Sequence, residues 1–194
     1  HYGRDAVVVY PPVDVPPAPP ATPREGFYLC VGFHTPYKRL DLAVAACRTL
    51  GRRLVVIGEG PDLRHIDPQR DRHVQLLGWQ SADVIRSYYA RAAALLFPGE
   101  EDFGIVPVEA MAHGCPVIAY AVGGAAETVL PHETGVLFAP QTAEALATAI
   151  RDFESQSFDP TGLHAHAAKF SRAYFLQRMY TVLTDALTQR GAKR

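Results

Sequence analysis

Apolar residues along this chain fall into six short blocks: Phe27–Val31, Arg53–Ile57, His73–Leu77, Ala93–Phe97, Pro116–Tyr120 and Gly135–Phe138. Each is only a few residues long and rich in strand formers, the mark of parallel strands buried on both faces. Between them, at residues 40–50, 61–67, 81–91, 105–113, 124–130 and 141–154, polar and apolar positions alternate with helical spacing. The strand and helix alternation predicts an α/β fold, a Rossmann-like, doubly wound parallel sheet with helices on both faces. Local signals mark some boundaries: Asp41 and Ser81 can cap helices, and Gly114 can close the helix that Pro116 cannot continue. From Ser171 onward, Leu176, Met179, Tyr180, Leu183 and Leu187 recur at helical spacing and predict a long helix with one apolar stripe.

The opening stretch is different. Residues 1–26 carry Pro11, Pro12, Pro16, Pro17, Pro19, Pro20 and Pro23. Proline fixes φ and removes a donor, so this segment is expected to be an extended connector from an upstream domain, with 27–194 as the folded domain. Ala6–Tyr10 is read as one short strand within it.

Composition narrows the function classes. The chain has 194 residues, is 48% hydrophobic and carries a formal net charge of -1, so neither nucleic acid nor an anionic membrane is favoured as a general partner. Its three cysteines, Cys30, Cys47 and Cys115, lack metal-ligand spacing and read as reduced core residues. No run of about 18 apolar residues occurs to span a membrane, and no signal peptide is recognised. The expected location is the cytoplasm, if anywhere near a membrane then at its inner face. The histidines form no ligand pattern: His164 and His166 read as surface residues, His113 as a last-turn residue and His34 as a structural hydrogen-bonder, so no metal site is expected.

In an open α/β sheet, ligands bind beyond the carboxyl ends of the strands. The loop after Phe97 runs into a helix in whose first turn Pro107 is tolerated. That leaves the amides of Gly104, Ile105 and Val106 at a helix N-terminus, an anion site fit for a diphosphate. Taken singly, Lys38 would be a solvated charge, Glu109 a carboxylate favoured by the helix dipole, and Glu101 part of an exposed acidic run. Gly58 and Gly60 would merely turn the chain, and Trp79 would pack.

Together these residues resemble a family. Glu101 and Glu109 show the Glu-x7-Glu spacing of the group-1 retaining glycosyltransferases, and the stretches Val31–Val44, Val56–Pro61, Leu77–Trp79, Pro116–Gly124 and Thr134–Phe138 follow the family's order. Among its members, the bacterial mannosyltransferases that build surface polysaccharides look most similar.

The resemblance implies one half of a GT-B fold that binds a nucleotide-diphosphate sugar, GDP-mannose first and a UDP-sugar next, without a metal or other cofactor. It implies that Lys38 meets the diphosphate, Glu109 the ribose and Glu101 the transferred sugar, with Lys38 and Glu101 the catalytic pair. Gly32, Arg39 and the amides of Phe103, Gly104, Ile105 and Val106 would complete the phosphate and sugar side. Gly58, Glu59 and Trp79 would line the nucleoside side. The acceptor, a glycan or a lipid-linked sugar, would bind on an N-terminal domain missing from this chain, so the domain alone is expected to bind donor and turn over little.

One departure stands out: Phe33 occupies the place where many members have an arginine. Arg39 is the nearest replacement. The rival readings are a non-catalytic nucleotide-sugar-binding or scaffold module and a nucleotide-sugar epimerase of the same architecture.

Overall fold

The computed structural model describes residues 6–19, 21–67 and 69–191. The apolar blocks become β1 (Tyr28–Val31), β2 (Leu54–Ile57), β3 (Val74–Leu76), β4 (Ala94–Phe97), β5 (Val117–Tyr120) and β6 (Gly135–Phe138). All neighbouring strands are parallel, in the order β3-β2-β1-β4-β5-β6. The chain therefore runs outward from β1 in one direction and resumes at β4 in the other. Between β1 and β4 the connections leave on opposite sides, which opens a crevice at their carboxyl ends.

Alternation along the strands builds two cores. Leu29, Val55, Ile57, Leu95, Phe97, Val117 and Ala119 face one layer, together with residues of α2 (Ala82–Arg91), α3 (Ile105–Ala112) and α6 (Pro160–Ala167). Tyr28, Cys30, Leu54, Val56, Ala94, Leu96 and Ile118 face the other, against α1 (Leu40–Leu50) and α5 (Ala143–Glu154). The three cysteines are free and buried, as expected.

Several local expectations are corrected. β3 is not buried on both faces: it pairs with β2 alone, and Gln75 and Leu76 are exposed at this sheet edge. The helix expected at 61–67 is a 3-10 turn over Pro61–His65, because Ile66 is already extended. That expected at 124–130 is α4 (Gly124–Thr128), ended by an extended Val129. Asp41 does not cap α1; the N-cap is Arg39 in the left-handed region, and Asp41 sits in the first turn and binds it. Ser81 stands at the N-cap of α2 without a capping hydrogen bond. α6, capped by Asp159, is a further helix that the sequence pattern does not predict.

Among its described residues the proline-rich segment carries no helix or strand, and the strand expected at Ala6–Tyr10 is absent. Val8, Val9 and Tyr10 instead line one cavity with Phe170, Tyr174 and Phe175. The segment is nevertheless fixed to the domain. Val13 is 3% exposed and donates its N–H to Phe170 O at 2.8 Å. His164 Nε2 bonds Pro16 O at 2.7 Å, and Arg24 reaches the carbonyls of Ala92 and Gly114. His164 is thus a tether and not a free surface residue; His166 likewise bonds Thr128 O at 2.8 Å.

The final helix, α7 (Arg172–Gly191), leaves Leu176, Tyr180, Leu183 and Leu187 exposed. No helix among the described residues is long and apolar enough to cross a membrane.

Candidate functional site

Three loops meet at the carboxyl ends of β1, β2 and β4. Their approach is close because glycine stands at the crossings. Gly58, at φ 120°, lies so near the β1 loop that a Cβ on it would sit 1.9 Å from Gly32 O. Only a residue without a side chain fits both that contact and that φ. The β1 loop then forms a 3-10 turn over Pro36–Lys38, with Lys38 N bonded to Thr35 O at 2.9 Å.

This turn aims Lys38 across the crevice. Its Nζ lies 2.8 Å from Glu101 Oε1 in the β4 loop, with both side chains about one-fifth exposed. The contact is an ion pair, and the buried Oε1 has no other partner among the described residues. The Glu101 backbone is pinned from the far side, where Gly124 N donates to Glu101 O at 2.8 Å.

Behind Glu101 the loop enters α3. Gly104 is the N-cap in the left-handed region, at φ 78°, with no side-chain cap, and Pro107 contributes no N–H. The amides of Ile105 and Val106 have no acceptor among the described residues. Free amides at the positive end of a helix dipole favour an anion. Of the sequence-predicted residues, Lys38 and Glu101 are brought into contact, and Gly104, Ile105 and Val106 follow Glu101 along the same loop into α3. Phe103 contributes its backbone only, since its ring turns away and stacks on Tyr10 at 5.4 Å.

Glu109 lies one turn further into α3, half-buried, where the Tyr89 hydroxyl donates to its Oε2 at 3.2 Å. Burial pushes the Glu109 carboxyl above the ordinary glutamate range, against the opposing pull of that hydrogen bond. His34 is buried in the β1 loop with Nε2 3.1 Å from Ile57 O, and burial lowers its pKa. It is neutral and structural, tying the β1 loop to β2.

Two cavities flank this centre. One, of about 200 Å³, is bordered by Gly32, Phe33, Gly58, Glu59, Trp79 and Ile85. Phe33 is 60% and Trp79 73% exposed, so Trp79 is a displayed ring and not a packing residue. The other, of about 480 Å³, is bordered by Tyr37, Glu100, Glu101, Asp102, Gly123 and Glu127.

Arg39 is not brought in. Its guanidinium binds both Asp41 oxygens at 3.0 Å and Gln141 Oε1 at 3.3 Å, so it faces a third cavity, of about 500 Å³, between α1 and the Pro61–His65 turn. That larger cavity holds two guanidiniums, both already paired with carboxylates, Arg39 with Asp41 and Arg48 with Asp71. Among the described residues, no group of three or more His, Cys, Asp or Glu side chains is placed to hold a metal ion.

Sequence reading missed Tyr89, Glu127 and Gln141. Tyr89 was detectable as the aromatic on the buried face of α2. Gln141, which donates to Pro98 O at 2.9 Å, is brought to the β4 loop by tertiary packing alone.

Comparison with known proteins follows this geometry. Residues 16–173 match the family model of the glycosyl transferases group 1. The GDP-mannose-dependent alpha-(1-6)-phosphatidylinositol monomannoside mannosyltransferase of Mycobacterium tuberculosis is 31% identical over 142 residues, covering 64% of this chain and 37% of that protein. In fold, the chain is similar to the apo lipopolysaccharide outer core galactosyltransferase WaaB, with a TM-score of 0.80, 21% identity and coverage of 93% and 56%. It is also similar to Anabaena HepE in complex with UDP, with a TM-score of 0.70, 24% identity and coverage of 82% and 49%. The chain spans between 25% and 37% of the length of the first curated relatives it matches.

Proposed function

The chain belongs to the glycosyl transferases group 1, and from that premise we propose that it is the donor-binding half of a retaining glycosyltransferase that takes a nucleotide-diphosphate hexose. The observation that carries this is the meeting of Lys38 and Glu101 beside the open N-terminus of α3, at the switch point of the sheet.

The diphosphate lies between Lys38 and the amides of Ile105 and Val106. As the bond to the sugar breaks, negative charge grows on the β-phosphate, and a cation with preorganised amides stabilises that charge more than the ground state. Glu101, already beside Lys38, faces the sugar. Glu109 accepts from the ribose hydroxyls. Phe33 and Trp79 offer two exposed rings to the base, and Glu59 borders the same cavity.

GDP-mannose is the favoured donor, supported by the similarity to the GDP-mannose-dependent mycobacterial enzyme. The acceptor, a glycan or lipid-linked sugar, is proposed to bind across the cleft on a second domain, and the transfer to need no metal. A cytoplasmic location fits a nucleotide-sugar donor.

Calorimetry with GDP-, UDP- and ADP-sugars tests the reading. Binding of one donor, weakened about tenfold or more by Lys38→Ala, is expected. Absence of binding, or equal binding by the variant, would sink it.

A second reading has an observation of its own. Phe33 stands where many members carry an arginine, and the nearby Arg39 is engaged by Asp41 and Gln141. This favours a module that binds donor with little transfer. Phe33→Arg then tightens diphosphate binding several-fold at low salt; no gain would count against it.

A further inference from the structure

The loop Pro98–Gly104 carries Glu101 and leads to the amides proposed to meet the phosphates, so whatever fixes this loop sets the site. Its backbone is held at Glu101 O by Gly124 and at Pro98 O by Gln141. Its aromatic side chain, Phe103, is held by a residue far outside the loop.

Tyr10, in the proline-rich segment, stacks on Phe103 with ring centroids 5.4 Å apart and planes at 28°. Phe170 completes a three-ring cluster, 5.5 Å from Tyr10 and 5.8 Å from Phe103. The Tyr10 hydroxyl meanwhile donates to Glu127 Oε2 at 2.7 Å. Glu127 belongs to α4 and borders the cavity of about 480 Å³ that Glu101 also borders. One side chain therefore touches Glu127, which borders this cavity, and Phe103, which follows the bordering residues Glu101 and Asp102 in the β4 loop. Tyr10 is itself anchored nearby, where Val13 N donates to Phe170 O at 2.8 Å.

We propose that Tyr10 is a positioning residue of the donor site: its ring sets the β4 loop through Phe103, and its hydroxyl aims the Glu127 carboxylate at the sugar. This rests on the donor-binding reading above. The two contacts act on different parts of one ligand. The stack governs the loop amides, hence the β-phosphate. The hydroxyl governs Glu127, hence the sugar. The nucleoside cavity beside Phe33 and Trp79 touches neither.

Calorimetry on the 194-residue chain separates these parts, using UMP, UDP and UDP-glucose in parallel with GMP, GDP and GDP-mannose. Tyr10→Ala is expected to weaken the diphosphate and the diphosphate sugar about tenfold while leaving the monophosphate unchanged. Tyr10→Phe is expected to restore diphosphate affinity and still lose the increment due to the sugar, a loss that Glu127→Ala reproduces. Equal weakening of monophosphate and diphosphate by Tyr10→Ala, as general destabilisation would give, overturns the role. So does unchanged binding of all three ligands, or a Tyr10→Phe variant that binds diphosphate as poorly as Tyr10→Ala. Failure of the parent chain to bind any nucleotide is a separate result, which removes the donor site itself and this role with it.

Discussion

The Tyr89 hydroxyl of α2 donates to Glu109 of α3 at 3.2 Å, and burial raises the carboxyl's pKa in spite of that bond. An acid whose pKa is raised on folding holds its proton more tightly in the native state than in the unfolded chain. The contribution of Glu109 to stability is therefore greatest below the unfolded glutamate value of about 4.3 and falls as pH rises through the raised folded value. Ionising this carboxyl is therefore a cost to the fold. Glu109→Gln should raise Tm at pH 7, with a gain that shrinks toward pH 4, and weaken nucleotide binding about tenfold, roughly 1.4 kcal/mol. Scanning calorimetry across pH and a binding titration check the two halves together. A variant that melts lower than the parent at pH 7 would refute the burial argument.

Lys38 and Glu101 form the second linked pair. Removing the ammonium leaves Glu101 Oε1 buried beside no cation. Lys38→Ala should cost about 1–3 kcal/mol of stability, the penalty of an unsatisfied buried acceptor, discounted toward the low end because each side chain is partly exposed. Lys38→Ala with Glu101→Gln should recover most of that stability and none of the diphosphate affinity. Denaturant unfolding of the two variants decides it; if the double variant is no more stable than Lys38→Ala, the orphaned carboxylate is not the cause.

Gly58 gives a purely steric prediction. A methyl group there would meet Gly32 O at 1.9 Å, with φ at 120°. Backbone on backbone cannot yield as a flexible side chain can, so Gly58→Ala should destabilise by about 3 kcal/mol or more. Gly51→Ala also stands at positive φ, 63°, but would meet nothing within 4 Å. It should cost only about 1–2 kcal/mol. Equal midpoints for the two variants in urea would contradict the close crossing.

Three histidines set the acid limit. His34, His113 and His166 all have pKa values lowered by burial, and each ring bonds a backbone carbonyl: Ile57 O, Glu109 O and Thr128 O. The folded chain therefore holds fewer protons on these rings than the unfolded chain does. Their contribution to stability is complete above the unfolded histidine value of about 6.5 and declines as pH falls below it. Tm measured from pH 8 to pH 5 should be level and then fall, and His34→Gln should flatten the fall. A Tm that stays level down to pH 5 would refute this.

Much of the fold was legible from the chain. Leu54–Ile57 and Ala94–Phe97 are apolar without alternation because helices cover both faces, and that is a property of the residues themselves. The helix start after Gly104 was legible because Pro107 and the glycine constrain the backbone locally. What failed was set by neighbours distant in sequence. Val74–Leu76 looks like any other strand, and only the strand order makes it an edge. Arg39 looked available to phosphate until Gln141, from the far end of the sheet, was seen to engage it. The proline-rich segment was readable as extended, but Val13 and Tyr10 find their partners around Phe170, where no local pattern points.

The crossing of Gly58 over Gly32 also bears on how this cleft can be altered. Its floor is main chain against main chain, so the floor's shape is indifferent to most side-chain replacements around it. The rings that line the rim, Phe33 and Trp79, are largely exposed and hold little of the core. A library varied at Phe33, Glu59 and Trp79 can therefore explore new donor preferences on an unchanged base, and loss of folding should not dominate its outcomes.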